Sequence, residues 1–304
     1  MEKVQKIWLD GKFVNWSDAK IHILTHSLHY GGGVFEGIRA YKTKTGASVF
    51  RLSEHIDRLF ESAKTIEIKI PFTKKQIKQA VIEIIKVNKI QECYIRPIVF
   101  LGYGKMGLNP KGAPVQIAIA VWPWNAYLGD KQSISAKISK YIRPHPKSTE
   151  IHAKICGHYV NSILTSLEAQ KAGFDEAILL DYQGYVAEGP GENIFIVKNN
   201  TIFTPNTNTI LAGITRDTVI QIAKDQNIKI KEKNITIKEL KSADEAFFCG
   251  TAVEICSIGK IDNIIINKNK VGKITQIIKE NYNSLVRGEN KKYLKWLTFV
   301  KQYD

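Results

Sequence analysis

A lysine amine that is to form a Schiff base must give up its proton near neutral pH, and partly dry surroundings lower its pKa to that end. Lys154 has such neighbours in Ala153, Ile155 and Cys156, ahead of a segment with an apolar helical face. The chain carries many lysines, most of them suited to surface loops, and these neighbours set Lys154 apart from them. Tyr159 lies five residues on, about one turn into the next element, where its hydroxyl could reach a neighbour of that amine. A second cluster is Ala187-Glu188-Gly189-Pro190-Gly191-Glu192-Asn193. It reads either as a turn with two solvated charges, or as a bend whose glycines admit a ligand while one carboxylate turns inward. An inward carboxylate beside a pyridine nitrogen would keep that nitrogen protonated.

Weaker signals surround these two. Gly213-Ile214-Thr215 precedes a helix and Gly250-Thr251-Ala252 follows a strand. Each is an ordinary cap or an anion site built from outward N–H groups. Tyr94 and Arg96 share one face of an apolar strand, because residues two apart point the same way. They require either an internal hydrogen-bond network or an incoming carboxylate, and the second reading is preferred. The run from His29 to Arg39 has more aromatic residues and glycines than a plain hairpin needs.

The elements that must position these groups show in the periodicity. Ile7-Trp8-Leu9 and Phe13-Val14 around Asp10-Gly11 predict an opening hairpin, not a signal peptide. Ser53 is the predicted cap of a helix with Ile56, Leu59, Phe60 and Ala63 inward, and Thr73 of one with Ile77, Val81, Ile84 and Ile85 inward. Cys93 to Leu101 and Val115 to Trp122 read as strands buried on both faces, joined by the turn-rich Gly102 to Pro110. The strand pattern breaks at 124–132, the expected interdomain loop. Beyond it the spacing predicts strands near Ile134 to Ile138, Glu176 to Asp181, Ile194 to Lys198 and Ala246 to Cys249. Helices are expected over about Gly157 to Lys171, Arg216 to Asp225 and Ile274 to Val286. Strands and helices without strict alternation argue for two α+β domains with a cleft between them, 1–123 and 133–304.

Composition narrows the class. The 304 residues are 44% hydrophobic, enough for a real core, and no apolar run approaches a membrane span. The net charge of +15 raises the question of nucleic acid. The lysines are spread along the chain between isoleucines, with no helix-turn-helix, zinc-finger or RNP-type signature, so no nucleic-acid partner is expected. A basic field would still draw in anionic substrates. Cys93, Cys156, Cys249 and Cys256 form no C-x-x-C pair and have no histidine at metal spacing, so reduced thiols and no metal are expected, in a cytoplasmic protein.

Taken in order, HSLHYGGGVFEGIRAY, FRLSEHIDRLFESAK, YIRPIVF, GLNP, WPWNAYLG, AKICGHYVNS, EGPGENIF, LAGITRD and CGTAVE resemble the branched-chain amino acid aminotransferases. These belong to the fold-type IV class of pyridoxal-phosphate enzymes, and the likeness runs from His26 to about Glu254. It implies a two-domain fold, a small N-terminal α/β domain and a larger C-terminal pseudo-barrel α/β domain. It implies pyridoxal 5'-phosphate as cofactor, with reversible amino transfer between L-leucine, L-isoleucine or L-valine and 2-oxoglutarate. By the same resemblance Lys154 forms the Schiff base and later carries the substrate proton. Glu188 pairs with the ring nitrogen, Tyr159 hydrogen-bonds the ring oxygen, and Arg58, Ile214, Thr215 and Thr251 hold the phosphate. A surface pair with Glu61 is the other reading of Arg58. Tyr30, Phe35, Tyr127 and Tyr159 would shape the side-chain pocket. Tyr94, Thr251 and Ala252 would take the α-carboxylate, and Arg96, supported by Arg39, a distal carboxylate. A homodimer or homohexamer is implied as well. Within the fold the rivals are D-amino acid aminotransferase and aminodeoxychorismate lyase; outside it, a basic binding protein without catalysis.

Overall fold

The computed structural model describes residues 3–124 and 131–301. Two compact units form, one of Met1–Asn125, Ala153–His158 and Leu285–Asp304, the other of Ala126–His152 and Tyr159–Ser284. This division differs from a split into 1–123 and 133–304, because the short segment around Lys154 and the C-terminal segment pack with the first unit.

The first unit begins with the expected hairpin, β1 (Lys6–Leu9) and β2 (Lys12–Asn15). A short α1 (His26–Tyr30), β3 (Gly33–Phe35), β4 (Ile38–Thr43) and β5 (Gly46–Phe50) follow. Next come α2 (Leu52–Thr65), α3 (Lys74–Val87), β6 (Cys93–Leu101) and β7 (Val115–Trp122). Thr73 caps α3 as its spacing to Gln76 requires: its hydroxyl accepts from Gln76 N at 3.2 Å, and Gln76 Oε1 accepts from Thr73 N at 2.8 Å. Ser53 does not cap α2. The helix starts two residues earlier than that cap would place it, at Leu52, after Arg51 in a left-handed conformation, φ 48°. Arg51 is held there by Glu54 at 2.8 Å and by the Trp296 ring at 4.5 Å, a long-range contact that outweighs the local capping preference.

In the second unit β8 (Ser133–Ile142) is followed by α4 (Tyr159–Lys171), β9 (Glu176–Leu180), β10 (Val186–Glu188), β11 (Asn193–Lys198) and β12 (Thr201–Thr204). Then come α5 (Ile214–Asp225), β13 (Lys229–Glu232), α6 (Ile237–Lys241), β14 (Glu245–Gly250), β15 (Glu254–Ile261), β16 (Ile264–Ile265) and α7 (Lys273–Val286). The last strand, β17 (Leu297–Phe299), belongs to the first unit, pairing with β5.

The first sheet runs β17-β5-β4-β6-β7-β1-β2, with β3 also on β6. The second runs β10-β9-β8-β15-β14-β11-β12-β13, and a β10–β11 pairing closes its first six strands into a ring, the expected pseudo-barrel. Ile56, Leu59, Ile77, Val81, Ile84, Ile95 and Ile119 are fully buried in the first core, and Ala136, Ile178, Ile194, Phe248 and Ile261 in the second. Each such large aliphatic side chain contributes about 1.5–3 kcal/mol. No helix among the described residues is long and apolar enough to cross a membrane.

Candidate active site

The first unit builds its part of the site on a broken strand. Phe35 is opposite Ile98 and Ile38 opposite Ile95, so β3 and β4 follow β6 with an interruption at Glu36-Gly37. The break faces Pro97, which has no N–H to orphan, while Glu36 N donates to Pro97 O at 2.9 Å. Released from the ladder, the Glu36 side chain is fully buried. Its Oε1 accepts from Arg58 Nε at 2.6 Å; its Oε2 accepts from Arg58 Nη2 at 2.9 Å and lies 2.7 Å from His55 Nδ1. Burial alone would raise the Glu36 pKa, but the Arg58 charge and the bonds from His55 and Arg58 outweigh it and hold the carboxyl well below the usual carboxylate range. Burial also pushes the His55 imidazole down, ahead of the opposing pull of Glu36, so His55 is neutral at pH 7 and its Nδ1 carries the proton given to Glu36. The local Arg58–Glu61 pair considered from sequence gives way to this bidentate one.

Lys154 is half-buried and anchored through its backbone on both sides. Its N–H donates to Ser62 Oγ of α2 at 3.0 Å, and its carbonyl accepts from Phe35 N at 3.1 Å. Its Nζ lies 5.1 Å from the centre of the Phe35 ring, which the Arg96 guanidinium also meets at 4.6 Å. Arg96 Nη2 donates to Tyr94 Oη at 3.0 Å, the internal bond that their shared face permits, while Arg96 Nε is buried without a hydrogen-bond partner among the described residues. A side chain at Gly37 would collide with the Tyr94 hydroxyl, so that glycine is required for the close approach. Lys154, Phe35, Arg96 and Tyr94 are thus contiguous. Arg39 stands opposite Tyr94 in the ladder, 3.5 Å from Glu92 and over the Tyr41 ring at 4.9 Å. Tyr30 is exposed at the end of α1 against His26, and Tyr127 lies outside the described residues.

In the second unit the glycine-rich bend is a turn between β10 and β11, closed by Gly189 N to Glu192 O at 2.8 Å. Both of its carboxylates are buried, which removes the reading of the bend as a turn with solvated charges. Glu188 Oε1 lies 2.8 Å from Arg143 Nε and accepts from Leu211 N at 3.3 Å; Oε2 accepts from Asn193 Nδ2 at 3.0 Å. A Cβ at Gly213 would strike the Asn193 side chain, so the residue before α5 is glycine for want of room. Ile214 and Thr215 then open α5 and are buried, directing first-turn N–H groups outward from the helix. Thr251 and Ala252 make the half-buried turn from β14 to β15, and β14 pairs with β11 through Cys249 and Asn193. Tyr159 begins α4, half-buried, and with Ser162, Ser166, Glu176 and Gly191 lines a cleft of about 330 Å³.

Behind the turn, Glu192 and Glu176 form a buried acid pair. Burial, then the charge of Glu176, raises the Glu192 carboxyl well above the usual range, and burial raises Glu176 as well. Glu192 keeps its proton and donates it to Glu176, while its Oε2 accepts from Gly191 N at 2.6 Å.

Glu36, His55, Ser62, Arg143 and Asn193 carry no role in the sequence reading. Their signals are faint: a lone carboxylate between Phe35 and Gly37, an asparagine ending an acidic turn, and an inward spacing of His55, Arg58 and Ser62 on α2. All four cysteines are free, and no cluster of metal-binding side chains occurs among the described residues.

A family model described as amino-transferase class IV matches residues 33–261. The branched-chain-amino-acid aminotransferase of Pseudomonas aeruginosa is 44% identical over 298 residues, 97% of each chain. Two solved structures share the fold closely. The branched-chain aminotransferase of the archaeon Thermoproteus uzoniensis, crystallised with norvaline, is 44% identical with a TM-score of 0.94, covering 98% of this chain and all of that one. The branched-chain amino acid aminotransferase of T.th., complexed with N-(5'-phosphopyridoxyl)-L-glutamate, is 40% identical with a TM-score of 0.95 over 99% of this chain and all of that one.

Proposed function

We infer, from a chain that belongs to the amino-transferase class IV family, a pyridoxal-phosphate enzyme that exchanges amino groups between branched-chain L-amino acids and 2-oxoglutarate. The full-length likeness to branched-chain aminotransferases carries this reading, and neither D-amino acid transfer nor aminodeoxychorismate cleavage is favoured by it.

The residues present fit the cofactor's three handles. Its aldehyde needs an amine at a fixed position, and Lys154 is anchored through both backbone groups. Its ring nitrogen needs a buried anion, and Glu188 is one, held by Arg143 and Asn193. Its phosphate needs cations and N–H donors; Arg58, paired with Glu36, would be such a cation, and the start of α5 would offer such donors. When bound, pyridoxal phosphate supplies an aldehyde that condenses with amines and a protonated ring that draws electrons from the substrate.

Around it Lys154 Nζ would take the proton from the substrate Cα. Glu188 would accept from the ring N–H, Tyr159 would donate to the ring oxygen, and Arg58, Ile214, Thr215 and Thr251 would hold the phosphate. Tyr94 with the Thr251 and Ala252 N–H groups would orient the α-carboxylate. Phe35, with Tyr30, Tyr127 and Tyr159, would enclose an apolar side chain. Arg96, whose buried Nε has no hydrogen-bond partner among the described residues, would meet the distal carboxylate of glutamate, with Arg39 beside it. A homodimer or homohexamer in the cytoplasm completes the proposal.

The test is an absorbance titration of the purified protein with L-leucine, L-glutamate and D-alanine, repeated on Lys154→Ala. L-leucine and L-glutamate should shift the spectrum, and the variant should lose transamination while keeping its fold. Turnover of D-alanine alone, or a fully active variant, refutes the assignment.

A further inference from the structure

On α2, His55, Arg58 and Ser62 share one face at spacings of three and four. All three reach the same neighbourhood: His55 and Arg58 bond to Glu36, and Ser62 accepts from the Lys154 N–H. Glu36 in turn follows Phe35, whose N–H bonds to the Lys154 carbonyl. One buried carboxylate therefore ties together the guanidinium read as a phosphate holder and the backbone that carries the amine. We propose that Glu36 is a positioning residue for cofactor binding, fixing the Arg58 guanidinium for the phosphate through its bidentate grip, with His55 locking the carboxylate in place. The proposal rests on the reading of Arg58 given above.

The physical case is one of geometry and charge. A guanidinium is planar, and two parallel bonds to one carboxylate set both its position and its plane. Nε and Nη2 both bond to Glu36, which sets the plane in which the whole guanidinium lies. The Arg58 side chain is only 17% exposed, so without Glu36 it would be a buried cation with one large anion fewer. With Glu36 the pair is neutral before the phosphate arrives, and the arginine then bridges two anions. His55 adds a third bond to the carboxylate, which leaves Glu36 no second orientation. A merely structural carboxylate would support the fold without favouring one form of the cofactor over another.

That difference is measurable on protein stripped of cofactor, by fluorescence or absorbance titration with pyridoxal phosphate and, separately, with pyridoxal, which lacks the phosphate. Arg58→Ala, Glu36→Gln and Glu36→Asp are compared with the parent protein. Glu36→Gln should reduce the preference for the phosphorylated form by about tenfold or more, the worth of one well-placed charge-assisted bond, with little change toward pyridoxal. Glu36→Asp, which keeps the charge but retracts it by one methylene, should fall between and covers the case in which the glutamine variant does not fold. Equal losses toward both ligands, or a preference within about twofold of the parent in both Glu36 variants while Arg58→Ala abolishes it, overturn the positioning role alone. An unchanged preference in Arg58→Ala overturns the phosphate reading and this proposal with it.

Discussion

Glu192→Gln tests the buried acid pair behind the site. Glutamine keeps the shape, an oxygen for the Gly191 N–H and an N–H for Glu176, and it cannot ionise. In the unfolded chain both carboxyls lose their protons above about pH 4.5. The folded pair keeps one to higher pH, because burial and mutual repulsion raise it. The folded state therefore binds one proton more over that window. Stability is complete below the unfolded range and is lost as pH rises through the folded value. One proton of difference raises the unfolding constant about tenfold per pH unit. Above about pH 5 the parent should thus lose stability relative to the variant by about tenfold per pH unit, until the folded pair gives up its proton. Urea unfolding followed by far-ultraviolet circular dichroism at several pH values reads this directly. Parallel stability curves for the two proteins would show that Glu192 is ionised in the fold, and that the pair does not share a proton.

The first unit should respond with the opposite sign. The His55 pKa is pushed down by burial and Glu36 is held low, so their contribution is present above about pH 6.5 and is lost as pH falls toward their folded values; His55→Gln should flatten the His55 part of that decline in acid unfolding curves. Arg143→Met takes the guanidinium from the buried Glu188 and leaves the Asn193 and Leu211 donors in place; it should cost about 3 kcal/mol in urea unfolding, partly restored by Arg143→Lys. Thr73→Ala removes a complete capping box and should cost about 1 kcal/mol, seen as a lower Tm with unchanged amino transfer.

What the sequence made legible is what short-range patterning controls. Thr73 stands before an apolar-faced segment and caps that helix wherever it packs, and Tyr94 and Arg96 share a strand face by parity. Cys93 to Leu101 and Val115 to Trp122 are strands with the bounds that their apolar runs set. What escaped depends on residues distant in the chain. Arg58 finds Glu36 across 22 positions instead of Glu61 across three. Arg143, just past β8, reaches Glu188 at the end of β10 with β9 between the two strands, a neighbourhood that periodicity does not encode. Ser53 lost the cap of α2 because Arg51 stacks on Trp296, and nothing near position 51 announces that partner. The placement of 153–158 in the first unit has the same origin: a bridge from Val34 to Ile155 and the bonds from Ser62 and Phe35 are all made with residues about a hundred positions upstream.

The strand order of the first sheet bears on how the protein emerges from the ribosome. β5 is completed by Leu297–Phe299, and Arg51 rests on Trp296, so one edge of the earliest sheet stays open while about 170 further residues are made. The newborn chain must keep that edge from pairing with neighbours until its tail arrives, and truncation before residue 297 should turn a folding protein into an aggregating one.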